Sequence, residues 1–259
     1  PFYYATGKNG EFIFASEIKA ILASKLLKPK VNSEALYHYF QYGYVSAFQS
    51  IYSNVFTLPP AHQLIFSEGK ILVERYYSIP KNDVEISLSE AKEQFSHLLK
   101  NAVEKQLIAD VEVGSFLSGG LDSSTIVAMV NEFKPQQTTI SFGYSGENSE
   151  LKFAEEIAKK YNTNHIEIYE NRGNIAKELS KISPFFDEPF ADMSYSPQHK
   201  ICEAAARHLK VVLAGDVGDE LFGGYSFYNV ENKLKNHFSY NNILVKFGLK
   251  QFGKFRETT

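Results

Sequence analysis

A single cysteine, Cys202, excludes an intramolecular disulfide and any CxxC metal site. No apolar run approaches the ~18 residues of a membrane span, so no membrane partner is expected. No signal-peptide pattern is visible, and no basic stripe of the kind that tracks a nucleic acid runs through the chain. Charge is nearly balanced at −3 and the hydrophobic fraction is an ordinary 44%. These features agree with a soluble cytoplasmic enzyme. At 259 residues the chain can bury one large core plus a smaller unit. Cys202 itself stands mid-helix beside Ile201 and Ala204 to Ala206, and reads as a buried core thiol rather than a nucleophile.

What is present centres on Ser118-Gly119-Gly120-Leu121-Asp122-Ser123-Ser124. Val113 to Leu117 reads as a buried strand, and Ser123 to Phe133 as a helix with Ile126, Val127, Met129 and Val130 as its apolar residues. A strand ending in a glycine turn that opens into a helix makes an anion cradle. The glycines allow close backbone approach, and the first helical N–H groups face the anion with the positive end of the dipole behind them. An acid in such a loop repels a bare phosphate, so Asp122 makes sense when a cation, Mg²⁺ first, lies between it and the phosphates. The alternative is an ordinary strand-to-helix turn in which Gly-Gly serves geometry and Asp122 or Ser123 caps the helix.

The heptapeptide resembles the pyrophosphate loop (SGG-x-DS) of the N-type ATP pyrophosphatases, which cleave ATP between the α- and β-phosphates. It is not a Walker A sequence, because no Gly-Lys-Ser/Thr follows the glycines. A second block, Gly215-Asp216-Val217-Gly218-Asp219-Glu220-Leu221-Phe222-Gly223-Gly224-Tyr225, follows the short β-type run Lys210 to Ala214. It resembles the SG-(E/D)-G-x-DE-x-x-GGY signature of the asparagine synthetase family. Phe186-Asp187-Glu188-Pro189-Phe190-Ala191-Asp192-Met193-Ser194 is similar to that family's DEP-x-AD-x-S segment. Blocks in this order, separated by helical stretches, are far more specific than any one alone.

The N-terminal part differs. Phe2 to Ala5 and Glu11 to Ala15 flank Gly7-Lys8-Asn9-Gly10, and Asn-Gly between strand-like runs signals a hairpin. Ser16-Glu17-Ile18-Lys19-Ala20-Ile21-Leu22 then resembles the end of a class II glutaminase domain. Such a domain uses an N-terminal Cys, whereas Pro1 opens this sequence, so an internal piece of a longer protein is expected. Residues 1–28 are assigned to the remnant of that α+β domain, 29–80 to a connector, and 81–259 to a synthetase domain incomplete at its C-terminus. In the connector, Asn32 is placed to cap a helix, and Gln63 to Phe66 and Lys70 to Tyr77 form a second hairpin through Glu68-Gly69. His62 reads as a structural hydrogen-bonding residue of that turn.

From Ser89 onward strands and helices alternate: a helix to Ile108, strands at Val113–Leu117, Thr138–Phe142, His165–Tyr169 and Val211–Ala214, and helices at Glu150–Tyr161, Asn174–Ile182 and Pro197–Leu209. Phe95, Leu98, Leu99, Ala102 and Val103 line one face of the first helix, and Ser196 and Pro197 are placed as N-cap and first turn of the last. Alternation predicts a parallel doubly wound sheet of the adenine nucleotide α-hydrolase-like class, with ligands beyond the strand C-termini.

The resemblance implies ATP and Mg²⁺ as cofactors. ATP phosphates fall on Ser118, Gly119, Gly120, Ser123 and Ser124, adenosine on Leu117, Phe142, Ala214 and Gly215, and Mg²⁺ on Asp122 and Asp219. Asp216 takes the position of the acid that supports acyl-adenylate formation, usually Glu. Ala214 stands where Ser is usual, Val217 where Gly is usual, and Ser149-Glu150 where an acidic pair is expected. The family's downstream lysine lies past Thr259. Lys246, Lys250 and Lys254, beside Leu244, Phe247 and Phe252, read as a solvated face. Asp187, Glu188 and Asp192 are open between lining an acceptor pocket and bonding the loop before Pro197, and Glu220 between metal and turn.

The implied reaction is adenylation of a carboxylate, aspartate by default, with release of pyrophosphate. Ammonia drawn from glutamine then yields the amide and AMP. Another carboxylate (a sugar acid, or the precursor of a β-lactam or peptide ring) and a non-catalytic nucleotide-binding module are the competing readings. A homodimer is left open.

Overall fold

A computed structural model describes residues 1–80, 84–144, 149–170, 175–192 and 194–228. Asn174, Met193 and the tail lysines with Leu244, Phe247 and Phe252 lie outside the described residues, as do the side chains of Ser149 and Glu150. The described residues of Pro1–Gln94 and Asn171–Arg207 make one compact unit, and those of Phe95–Glu170 and His208–Thr259 another.

In the first unit β1 (Tyr3–Thr6) pairs antiparallel with β2 (Phe12–Ala15), setting Tyr3 opposite Ala15 and Thr6 opposite Phe12. Gly10 closes the turn at φ +88°, a value side chains resist. α1 (Ile18–Ala23) lays Ile18 and Ile21 onto the strands, joining Tyr3, Ala5, Leu27 and Val55 in one core. Truncating either isoleucine to Ala would cost about 2–5 kcal/mol, because both are fully buried. α2 (Ser33–Tyr42) starts where the Asn32 side chain accepts hydrogen bonds from the Glu34 and Ala35 amides, and it ends on Gly43 in the left-handed region.

The segment after α2 returns to the first sheet. β3 (Phe56–Thr57) pairs with the free edge of β1, giving the order β2-β1-β3. β4 (His62–Ser67) and β5 (Lys70–Arg75) then form the second hairpin. Glu68 and Gly69 both take positive φ at its turn, matching the right-handed twist of the flanking strands. His62 Nδ1 lies 2.8 Å from the Pro60 carbonyl, a structural contact within that turn.

α3 (Leu88–Gln106) opens on a capping box: Ser87 N donates to Glu90 Oε2, and Glu90 N to Ser87 Oγ. Of its apolar stripe Val103 is buried, whereas Phe95 and Leu98 stay exposed. The Phe95 ring meets Phe222 edge-on.

Next come β6 (Val113–Phe116), α4 (Leu121–Phe133), β7 (Thr138–Tyr144), α5 (Ser149–Tyr161) and β8 (Asn164–Glu170). α6 (Ile175–Ile182) and α7 (Tyr195–Ala205) belong to the first unit, joined by a Lys200–Glu178 ion pair at 2.6 Å. β9 (Val211–Leu213) and the short α8 (Gly218–Phe222) follow. The four strands are parallel in the order β8-β7-β6-β9. The chain steps outward from β6 to β7 and β8, then returns to the opposite side of β6 as β9. This reversal defines a doubly wound sheet and puts its topological switch point between β6 and β9. Leu117, Val127, Ala154 and Ala158 pack the core, and a buried Ser115–Gln137 pair is satisfied through Val127 O.

Two expectations need correction. The helix placed at Pro197–Leu209 runs from Tyr195 to Ala205, and Ser196 does not cap it, because its hydroxyl donates to Glu178 Oε2 on α6. Cys202 is exposed and is not a core thiol, since the buried face of α7 is carried by Ala205. Among the described residues no helix is long and apolar enough to cross a membrane.

Candidate nucleotide-binding site

The loop after β6 is fixed at both ends. Leu117, fully buried, donates its amide to Ile140 O at 2.9 Å, and the Ser141 hydroxyl donates to Leu117 O. Gly119 then turns the chain at φ +81°. A Cβ there would sit 2.6 Å from Phe153 Cβ and 2.7 Å from Ala154 N, so α5 leaves no room for a side chain. Gly120, extended at φ −69° and ψ 164°, caps α4 without any side-chain hydrogen bond. The first-turn amides of a thirteen-residue helix thus face the loop, at the positive end of the helix dipole.

The helix begins at Leu121, two residues earlier than its apolar pattern suggested, and neither Asp122 nor Ser123 caps it. Ser123 Oγ instead accepts from Ser118 N at 3.2 Å, lies 3.0 Å from Ser118 Oγ and donates to Gly120 O. Ser118 Oγ in turn accepts from Gly120 N. The two serines therefore hold the loop's shape. Ser124 Oγ is buried without a hydrogen-bond partner among the described residues, an atom whose desolvation a polar ligand would relieve.

β9 runs beside β6, Gly114 opposite Val212 and Ser115 opposite Leu213, so the chain leaving β9 meets the first loop. Gly215 packs on it directly: a Cβ there would lie 2.7 Å from Ser123 N and 2.8 Å from Asp122 Cβ. Gly218 does the same, its Cβ position falling 2.5 Å from Asp122 Cγ. Asp122 thereby presents its carboxylate to the second loop one residue from Asp219, and both are half-buried. Between the glycines Val217 is held at φ +73° and ψ −5°, a left-handed conformation that costs a β-branched residue energy. Asp216 is exposed, and Glu220 Oε1 accepts from Tyr225 OH at 2.9 Å, which pushes the phenol's pKa up.

Phe142 closes the picture at the C-terminal end of β7, its ring edge-on to Tyr144. Leu117, Phe142, Ala214 and Gly215 thus sit at or just past the C-terminal ends of adjacent strands, flanking the switch point. Among the described residues no three His, Cys, Asp or Glu side chains converge. Two carboxylates on adjoining loops fit Mg²⁺ better than a metal caged by protein, since Mg²⁺ keeps waters and takes phosphate oxygens.

The acids of the third block are engaged elsewhere. Asp187 accepts from the Ile18 amide at 2.7 Å and the Lys19 amide at 3.3 Å, Glu188 from the Ile51 amide at 2.8 Å, and Asp192 from the Ser194 amide at 2.8 Å. Burial raises the Glu188 pKa, partly offset by the Ile51 bond. Tyr3 is pushed up to about 12, by burial first and then by Glu188 and Asp187.

Sequence reasoning missed Gly218 as a packing surface for Asp122, although its spacing from Gly215 was a usable signal. It also missed His165, at the β8 end away from the rim. The imidazole pKa is lowered chiefly by burial, and Nδ1 lies 2.8 Å from Thr139 Oγ1. No sequence signal marked it.

The Asparagine synthase family model matches residues 94–256, and the Glutamine amidotransferase domain model matches residues 1–77. "Putative asparagine synthetase (glutamine-hydrolyzing) 2" of Methanocaldococcus jannaschii is 39% identical over 231 residues, covering 87% of this chain and 45% of that protein. "Asparagine synthetase (glutamine-hydrolyzing) 1" of Bacillus subtilis is 32% identical over 237 residues, covering 91% of this chain and 37% of that protein. The chain thus spans less than half the length of these relatives. Among solved structures, an NH3-dependent NAD synthetase from Campylobacter jejuni superposes with a TM-score of 0.37 and 15% identity, over 64% of this chain and 85% of that one.

Proposed function

The chain belongs to the asparagine synthase family, and on that footing we propose that the rim of its parallel sheet binds Mg-ATP and activates a carboxylate as its adenylate. The observation that carries this reading is the packing of Gly215 and Gly218 against Asp122, which joins the two signature loops into one site.

The α4 amides with Ser118, Gly119, Gly120, Ser123 and Ser124 receive the phosphates, and Leu117, Phe142, Ala214 and Gly215 receive adenosine. Asp122 and Asp219 would hold Mg²⁺, which would supply charge neutralisation for the triphosphate and the departing pyrophosphate. A carboxylate oxygen of the acceptor attacks the α-phosphorus, and the bond from that phosphorus to the bridging oxygen breaks to release pyrophosphate. Asp216, exposed at the mouth of the second loop, faces the acyl-adenylate as it forms. Ammonia then attacks the acyl carbon, AMP leaves with the mixed-anhydride electrons, and the nitrogen loses a proton to give the amide.

Aspartate is the default acceptor and glutamine the ammonia source, as the relatives' names and the N-terminal match suggest. Residues 1–28 are the end of the amidotransferase part, 29–80 are a connector that the amidotransferase match also covers to residue 77, and 81–259 carry the synthetase part. Asp216 is one methylene shorter than the family's usual Glu, which favours a second reading with a different carboxylate acceptor.

ATP–pyrophosphate exchange in the full-length protein, with Mg²⁺ and a panel of carboxylates, tests the reading. Exchange dependent on aspartate supports it, exchange with another acid alone selects the second reading, and none with any acid defeats both.

A further inference from the structure

The hydrogen bonds of the segment 184–191 tie together two stretches that match different family models. This segment lies within the Asparagine synthase match, whereas Ile18, Lys19, Gly43 and Ile51 lie within the Glutamine amidotransferase match. Asp187 Oδ2 accepts from Ile18 N at 2.7 Å and Oδ1 from Lys19 N at 3.3 Å. Lys19 Nζ donates to Pro184 O at 2.9 Å and lies 3.6 Å from Asp187 Oδ1. Glu188 binds the Ile51 amide, and Ala191 N donates to Gly43 O at 2.8 Å. All of these residues belong to one compact unit.

Asp187 is the centre of this arrangement for three reasons. Its side chain is only 10% exposed, so its oxygens are bonded by these partners in place of water. α1 has no cap of its own, because its N-cap residue Glu17 makes no side-chain bond. The first amides of α1 are therefore satisfied by a carboxylate 169 residues away in sequence. A six-residue helix is marginal alone, so forming α1 and docking this segment become one event. An acid serving only its own loop would bond nearby amides, as Asp192 does with Ser194.

We propose that Asp187 is a positioning residue that holds the synthase-side segment against the amidotransferase-side helix α1, and so keeps ammonia release coupled to ammonia use. The coupling rests on the function proposed above. Asp187 touches neither substrate nor nucleotide in this assignment, so its removal should leave the adenylation chemistry in place.

The test uses the full-length protein and three assays: carboxylate-dependent ATP–pyrophosphate exchange, amide synthesis from free ammonia, and amide synthesis from glutamine with glutamate counted. In Asp187→Ala the first two should stay within about twofold, while glutamate formed per amide rises severalfold. Asp187→Asn, which keeps one acceptor oxygen and the side-chain shape, should give an intermediate ratio and serves if the alanine variant does not fold. A parallel fall of all three activities, or an unchanged ratio, overturns the proposal. Amide hydrogen exchange gives a readout independent of activity. Ile18 and Lys19 should exchange about fivefold faster in the asparagine variant, the factor for a bond worth about 1 kcal/mol, and unchanged rates overturn the clamp. If the unaltered protein shows no exchange of pyrophosphate, the proposed function fails while the amide rates still decide the clamp.

Discussion

Asp122 and Asp187 are both acids of short signature-like segments, and the chain treats them in opposite ways. Asp187 is bonded to two backbone amides and faced by Lys19. Asp122 stands in the first turn of α4 with its carboxylate laid against Gly218. In the first case the acid completes the architecture. In the second the glycines remove bulk so that the acid can meet something brought to it. Under the function proposed above, the partners a motif acid already has separate a ligand site from a structural clamp better than the motif does.

The sharpest way to break this comparison is to remove each kind of acid. Asp122→Ala should lower ATP–pyrophosphate exchange by about 10²-fold or more, the scale of losing a group that stabilises developing charge. Asp192→Ala, which removes only a turn bond, should leave exchange within about twofold, and equal losses would erase the distinction. Next in size is the glycine side. Gly119→Ala forces a Cβ against α5 at a positive φ, so ATP affinity should fall at least about tenfold with a stability loss of about 1–3 kcal/mol, read by titration and thermal melting. A third change acts in the other direction. Val217→Gly relieves the left-handed strain but loosens the unfolded chain, for a net gain of up to about 1 kcal/mol seen as a raised Tm.

What the sequence made readable was local. The run Val113 to Leu117, the two glycines and the apolar residues from Ile126 to Val130 identify strand, turn and helix without help from elsewhere. The features it hid are long-range. β3 is two residues, Phe56–Thr57, and exists because β1 offers an edge. Ser196 looked like a cap until α6 brought Glu178 to its hydroxyl. Cys202 sat among alanines that suggested burial, although only Ala205 on that helix is buried. The partners of Asp187 and the glycine surface under Asp122 both come from distant segments, which no local periodicity reports.

The smallest effect concerns Glu188, where burial and the neighbouring Asp187 raise the carboxylate's pKa and one hydrogen bond lowers it. Burial raises its pKa, and the hydrogen bond from Ile51 N pulls it down by a lesser amount. The folded state therefore holds its proton to higher pH than the unfolded chain does. Stability contributed by this group is full below the ordinary carboxylate range and declines as pH rises through the folded value, above which the penalty is constant. Glu188→Gln keeps an oxygen for the Ile51 amide and abolishes the ionisation. Its Tm should match that of the unaltered protein at acidic pH and exceed it at neutral pH, by less than about 1 kcal/mol in stability, the range of mild substitutions. A gap of the opposite sign at neutral pH would mean that the charge on Glu188 strengthens the Ile51 bond by more than burial costs it. Glu188 would then be an acid whose charged form the fold favours.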